Sequence, residues 1–149
     1  MRCTIDDKEK VNRILSDDSI YIPINGVPCP EKLKNILADD LLRETKAYVL
    51  SPNDFSVLIF LAYDENLYTG HTSVLPEGRG RQAIRDGKLA CQWMFENTKC
   101  IKIFGFTPEH MLHVRRFNIL VGFKEEGVLS NSHMHNGSVE NMIIFGLNK

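Results

Sequence analysis

The sequence predicts an α+β fold: a mixed, mostly antiparallel sheet of about six to seven strands with helices on both faces. Three passages carry that reading. Phe55 to Tyr63 is almost continuously apolar through Val57, Leu58, Ile59, Phe60 and Leu61, the pattern of a central strand covered on both sides. Leu67 to Leu75 returns as the next strand after the polar turn Asp64-Glu65-Asn66, so the two form a hairpin. Leu75-Pro76-Glu77-Gly78-Arg79-Gly80-Arg81-Gln82-Ala83-Ile84 then joins extended chain to a run with helical spacing (Ala83, Ile84, Leu89, Ala90, Trp93, Met94).

The remaining elements follow in order. Residues 5 to 16, with Ile5, Val11, Ile14 and Leu15 among charges, predict a short amphipathic helix. Tyr21-Ile22-Pro23-Ile24 reads as extended chain and Asn25-Gly26 as a turn. Pro30 opens a second helix whose buried stripe is Leu33, Ile36, Leu37, Leu41 and Leu42. Lys46 to Leu50 is a strand, broken by Ser51-Pro52-Asn53-Asp54. After the glycine turn a helix covers residues 81 to 97, Ile101 to Phe106 is a short strand, and Pro108 to Leu120 is a helix stopped by Gly122-Phe123. Gly127 to Ser132 and Val139 to Leu147 are two final strands about the turn Asn136-Gly137.

The 149 residues suit one domain, 1–149, with a single core. A composition of 43% hydrophobic and 25% charged residues excludes a disordered chain. The net charge of −1 disfavours a nucleic-acid partner, and no aromatics interleave with Gly78-Arg79-Gly80-Arg81 as a single-strand binder requires. No apolar run approaches the roughly 18 residues that span a bilayer, so no membrane partner is expected. The opening Met1-Arg2-Cys3-Thr4-Ile5-Asp6-Asp7 turns acidic at once and lacks the apolar core of a signal peptide. Cys3, Cys29, Cys91 and Cys100 lie far apart with no Cys-x-x-Cys pair, which fits reduced thiols in a cytoplasmic protein.

The strand–turn–helix passage also carries the chemistry. Free amides of a first helical turn, the positive end of the helix dipole and the neighbouring Arg79 and Arg81 favour a phosphate or pyrophosphate. Gly78 and Gly80 let the main chain approach a ligand closely. His110, His113, His133 and His135 raise the question of a metal, with His110 and His113 on one helix face and His133 and His135 on one strand face. The sequence shows no cysteine or carboxylate joining them and no supporting shell, so no metal is expected. Trp93, Met94 and Phe95 read as core packing at helical spacing.

The order of elements and two local motifs resemble the GNAT superfamily of N-acetyltransferases. The first motif is Leu75-Pro76-Glu77 followed by Arg79-Gly80-Arg81-Gln82-Ala83-Ile84. The second is Ile101 to Gly105, the helix from Pro108, and then Gly122-Phe123-Lys124-Glu125-Glu126-Gly127. The likeness covers roughly residues 57 to 147, and Gly70-His71-Thr72-Ser73-Val74-Leu75-Pro76 before Arg79-Gly80 looks like a branch found in tailed-phage genomes.

The resemblance implies an acetyl-CoA-dependent transferase in which an amine attacks the thioester directly. The main chain of Val74 and Leu75 would hold the pantetheine arm, and residues Arg79, Gly80, Arg81, Gln82, Ala83 and Ile84 the pyrophosphate. A strand N–H near Val74 would meet the thioester oxygen. His71 is the expected base, with Ser73 on the same strand face and Glu65 as secondary candidates. Asn118 stands where many members carry a tyrosine acid, and an amide cannot deliver a proton near neutral pH. Gln82 and Ile84 replace glycines of the usual phosphate turn. A second reading is therefore a degenerate member of the fold that binds CoA alone, or serves a non-catalytic binding or assembly role. The acceptor amine has no readable code; Asp17-Asp18 and Asp39-Asp40 could attract a cation or be solvated helix ends. Oligomeric state has no sequence marker, and a homodimer stays open.

Overall fold

Six strands, β1 (Ala47–Leu50), β2 (Ser56–Ala62), β3 (Leu67–Val74), β4 (Lys102–Pro108), β5 (Lys124–His135) and β6 (Ser138–Asn148), form one sheet in the order β1-β2-β3-β4-β6-β5. This is a computed structural model that describes residues 7–43 and 47–149, and Leu42 by its backbone alone. The expected start of the first helix at Ile5, Cys3, the acidic opening of the chain and Lys46 lie outside the described residues. Neighbouring strands run antiparallel except β3 and β4, which are parallel. The predicted α+β architecture is the observed one.

Helices cover both faces because β2 alternates between two cores. Leu58 and Phe60 join Tyr68, Ile103 and Ala90, Cys91 and Met94 of α4 (Arg81–Asn97), with Val121 of α5 (Leu112–Val121). Val57 and Ile59 face the other way, toward Val11 and Ile14 of α1 (Lys8–Ser16), Ile20 of α2 (Asp18–Asn25) and Ala38 of α3 (Leu37–Arg43). Buried Asn12 ties this second layer together: its Nδ2 donates to Asn35 O at 3.0 Å and its Oδ1 accepts from Ala38 N at 2.8 Å. Trp93 and Phe95 pack against the first core and Met94 is fully buried in it, as expected, but Leu89 is exposed.

Several boundaries differ from expectation. Tyr21 to Ile24 is helical, not extended. Asp17 caps α2 by accepting from Ser19 N at 2.9 Å, Ile20 anchors it in the core, and the helix tolerates Pro23 in its interior before Gly26 closes it at φ +77°. The helix expected from Pro30 begins only at Leu37; residues 31–36 form consecutive turns. β4 runs on to Pro108, so α5 starts at Leu112 and ends, as expected, at Gly122. β5 and β6 are longer than their apolar cores, because polar residues on the hairpin extend the pairing to His135 and Ser138.

The β3–β4 contact has the greatest consequence for the site. Parallel pairing covers Leu67↔Lys102, Tyr68↔Ile103 and Thr69↔Phe104 and goes no further. Beyond it β3 stays paired with β2 as far as Val74, and β4 with β6 as far as Pro108. The two strands therefore fork at Gly70 and Gly105. Leu75 N–H donates to Phe55 O at 2.9 Å, toward β2. Alternation then directs the main-chain groups of Gly70, Thr72 and Val74 into the fork.

A buried carboxylate fixes where α4 begins relative to that fork. Asp86 is 2% exposed and accepts three hydrogen bonds, from Asn53 Nδ2 (2.6 Å), Ser56 Oγ (3.1 Å) and Gln82 Nε2 (2.7 Å). It thus locks the first turns of α4 to β2 and the loop before it. Asp86→Asn retains shape but turns an NH₂ toward groups that themselves donate. The expected loss is about 1–3 kcal/mol of stability, read as a lower midpoint in urea unfolding at unchanged m-value.

Candidate active site

The fork opens a cavity of about 710 Å³. Its walls are Gly70–Val74 of β3, Phe104–Thr107 of β4, the start of α4 (Gly80, Ala83, Ile84), one side of α5 (Val114, Phe117, Asn118) and α2 (Ile20, Pro23, Ile24). Each wall follows from the fold. The strands splay, α4 crosses one end of the gap, α5 returns beneath it, and α2 closes the opposite face. Gly87 permits the close approach of α4 and α5, since a Cβ there would lie 2.8 Å from Val121 Cγ2.

The start of α4 has the features of an anion cradle. No side chain caps it, and the first intrahelical bond, Ile84 N to Gly80 O, spans 3.2 Å. The N–H groups of Arg81, Gln82 and Ala83 precede that first bond, so none has a partner within the helix. Gly80 sits at φ +84°, ψ −137°, a conformation open to glycine, and the position of a Cβ there is empty space. A short 3₁₀ turn over Pro76–Gly78 leads in. Gly78 is a packing glycine, because a Cβ would come within 2.6 Å of Phe55 Cβ.

The side chains of the expected cradle do different things. Arg79 folds back so that Nε donates to Val74 O at 3.2 Å. Arg81 is exposed at the first position of α4, with no side-chain partner among the described residues, and does not line the cavity. Gln82 turns along the helix to Asp86, Ala83 is buried, and the N–H of Ile84 is occupied within the helix while its side chain lines the cavity. Leu75 leaves no main-chain group for a ligand: its N–H bonds Phe55 O, its carbonyl accepts from Gly78 N at 2.9 Å, and its side chain is in the core. Val74 N–H is the strand donor that the alternation leaves facing the fork.

His71 and Ser73 share a strand face, as expected, and both line the cavity. That face is the one covered by α2. The His71 side chain is exposed in the cavity, and partial desolvation by the surrounding protein holds its pKa below the ordinary 6.5. The neutral ring, with a nitrogen lone pair, is the form present at neutral pH. It has no side-chain partner among the described residues. Glu65 lies at the opposite end of β3, paired with Lys99 and away from the cavity.

Asn118 Nδ2 donates to Thr107 Oγ1 at 3.0 Å, pinning the free end of β4 to α5 at the cavity wall. The acidic pairs are structural: Asp17 caps α2, its pKa held low by hydrogen bonds from Ser19, while Asp39 bridges Lys8 (2.5 Å) and Asp40 approaches Arg43 (3.5 Å). Cys91 borders the cavity, but burial pushes its thiol up to about 12, so it stays an unreactive SH. Sequence reasoning missed the α2 wall, read as extended chain, and His113, Arg116 and Phe117 of α5. Their spacing on one face of a helix was the available signal.

No family model matches the sequence, and no curated protein sequence does either. Solved structures do match. An acetyltransferase of the GNAT family from Bacillus anthracis superposes with a TM-score of 0.76 at 15% identity, over 99% of this chain and 92% of that one. Spermidine N-acetyltransferase from Vibrio cholerae, in complex with CoA and spermine, gives 0.75 at 14% identity over 99% and 93%. The Microcin C7 self-immunity acetyltransferase, in complex with acetyl-CoA and AMP, gives 0.74 at 13% over 98% and 89%. The chain has the GNAT acetyltransferase fold.

Proposed function

We propose that this protein is an acetyl-CoA-dependent N-acetyltransferase acting on a primary amine of a small molecule or a protein. The observation that carries the proposal is the uncapped start of α4, whose first three N–H groups have no partner within the helix and whose Gly80, Ala83 and Ile84 line the cavity opened by the β3–β4 fork. A helix start of this kind binds a diphosphate through N–H groups and dipole together. The empty volume at the Gly80 Cβ position is the space such a group requires. Two of the similar structures carry CoA or acetyl-CoA.

Acetyl-CoA, when bound, supplies the acetyl thioester. Arg81 and the amides of residues 81 to 83 bind its diphosphate, and Arg79 stands beside them once released from Val74 O. Val74 N–H, facing the fork, would stabilise charge arising on the thioester oxygen. His71, neutral on the acceptor side of β3, takes the proton from the incoming ammonium. The described lining of the cavity contains no Asp or Glu, and its basic side chains are His71, Arg79, His113 and Arg116. The preferred acceptor is therefore an amine without further positive charge. Its setting is the cytoplasm, which suits the buried free thiols of Cys29, Cys91 and Cys100; among the described residues no helix is long and apolar enough to cross a membrane. The likeness of its Gly70 to Gly80 passage to a tailed-phage branch supports an origin there.

One observation favours the second reading, CoA binding without turnover: Asn118 is engaged with Thr107 and offers no acid to a departing thiolate. Acetylation assays with a panel of amines separate the two, since binding without acetyl transfer to any of them selects the second.

Three outcomes are expected. CoA and acetyl-CoA raise the melting temperature, by mass action, and no shift at millimolar ligand removes both readings. Arg81→Glu sends fold and ligand in opposite directions. It leaves melting unchanged or slightly raised, because an acid suits a helix start, and weakens CoA binding about tenfold or more. His71→Ala lowers kcat about a hundredfold with CoA affinity kept. In the parent protein kcat rises with pH along a limb below 6.5, where the partly desolvated imidazole loses its proton, and that limb vanishes in His71→Ala.

A further inference from the structure

Away from the cavity's acceptor face, three histidines meet one carboxylate where the β5–β6 hairpin leans on the turn preceding α5. His110 lies in that turn, not on α5 beside His113, and its Nδ1 donates to Glu140 Oε1 at 2.5 Å. Its main-chain N–H reaches Glu140 Oε2 at 3.3 Å. His133, the cross-strand partner of Glu140, places Nε2 at 3.8 Å from the same Oε1. The His135 ring stacks on that of His110 with centroids 3.7 Å apart and planes inclined by 14°. Asn136 Nδ2 lies 3.2 Å from His135 Nε2 and orients that ring. One donor atom each from His110, His135 and Glu140 falls within 4.8 Å of the others.

The His110 and His135 rings lie face to face, and the His133 ring centroid is 6.2 Å from that of His110. Tetrahedral zinc bonds of about 2.0–2.2 Å put ligand atoms roughly 3.3 Å apart, between the separations of 2.5 and 3.8 Å seen about Glu140 Oε1. The sequence offered the histidines but no carboxylate; strand pairing supplies Glu140, and Asn136 is the start of a supporting shell.

We infer that His110, His133, His135 and Glu140 form a binding site for a late first-row divalent cation of the Zn²⁺ class. Three imidazoles and one carboxylate match that class in donor type and number, whereas a Mg²⁺ or Ca²⁺ site would be built from oxygens. The ion replaces the proton shared by His110 and Glu140 and staples the hairpin to the turn. Because Met111 follows His110 and lines the cavity, the staple also fixes one edge of the cavity wall. This inference stands independently of the proposed transferase activity.

The test is titration of the metal-stripped full chain with Zn²⁺ by calorimetry, and with Co²⁺ as a spectroscopic probe. The expected result is one ion per chain, a visible Co²⁺ spectrum of the tetrahedral type, and a Zn²⁺-dependent rise in melting temperature. His135→Ala and Glu140→Ala each weaken binding by about tenfold or more, while His113→Ala, on the cavity wall, leaves it intact. Circular dichroism confirms that the variants fold. Absence of saturable one-to-one binding to the parent chain overturns the inference, as does affinity that survives His135→Ala and Glu140→Ala together.

Discussion

A parallel contact only three residues long between β3 and β4 is the constraint on which the site depends. Were the two strands paired to their ends, the main-chain groups of Thr72 and Val74 would be consumed by the ladder and α4 would begin over a closed sheet. Instead each strand keeps its outer partner and abandons its inner one. Unmatched main-chain groups cost about 1–3 kcal/mol each when buried, so a fork of this kind survives only where water or a ligand reaches them. The surrounding contacts hold it open: Asn118 binds Thr107 on the β4 branch, Arg79 reaches Val74 on the β3 branch, and α4 and α5 close beneath it at Gly87.

Electrostatics follow from that geometry. The start of α4 and Arg79 border the opening, and the buried carboxylate of Asp86 is turned away and surrounded by three donors. Its charge is thereby directed at scaffolding instead of at the cradle. His71 lines the same cavity, and desolvation favours its neutral form.

Much of this was legible in the residues, for identifiable reasons. The apolar run of β2 announces a strand covered on both faces, and Val57/Ile59 against Leu58/Phe60 divide between two cores as alternation requires. Gly122 stops α5 where expected, and the helix of residues 81 to 97 has the predicted span. Tyr21 to Ile24 was misread because a proline among β-branched residues looks extended, whereas the Asp17 cap and the burial of Ile20 outweigh local preference. The cradle was legible in position but not in detail: that Leu75 is fully engaged, that Gln82 serves Asp86, and that Ile84 closes the first helical bond depend on where the chain turns. Glu140 could not be joined to the histidines by spacing, because cross-strand register brings it to His133.

Gly80 carries a consequence for any effort to harden this protein. A serine, asparagine or aspartate at the head of a helix commonly contributes about 1 kcal/mol, and this chain forgoes it at its longest helix. Engineering for heat resistance that installs such a residue would occupy the amides that the proposed ligand would use, besides forcing a side chain into a glycine conformation. Ruggedness and occupancy compete for one residue, and the natural sequence leaves the vacancy.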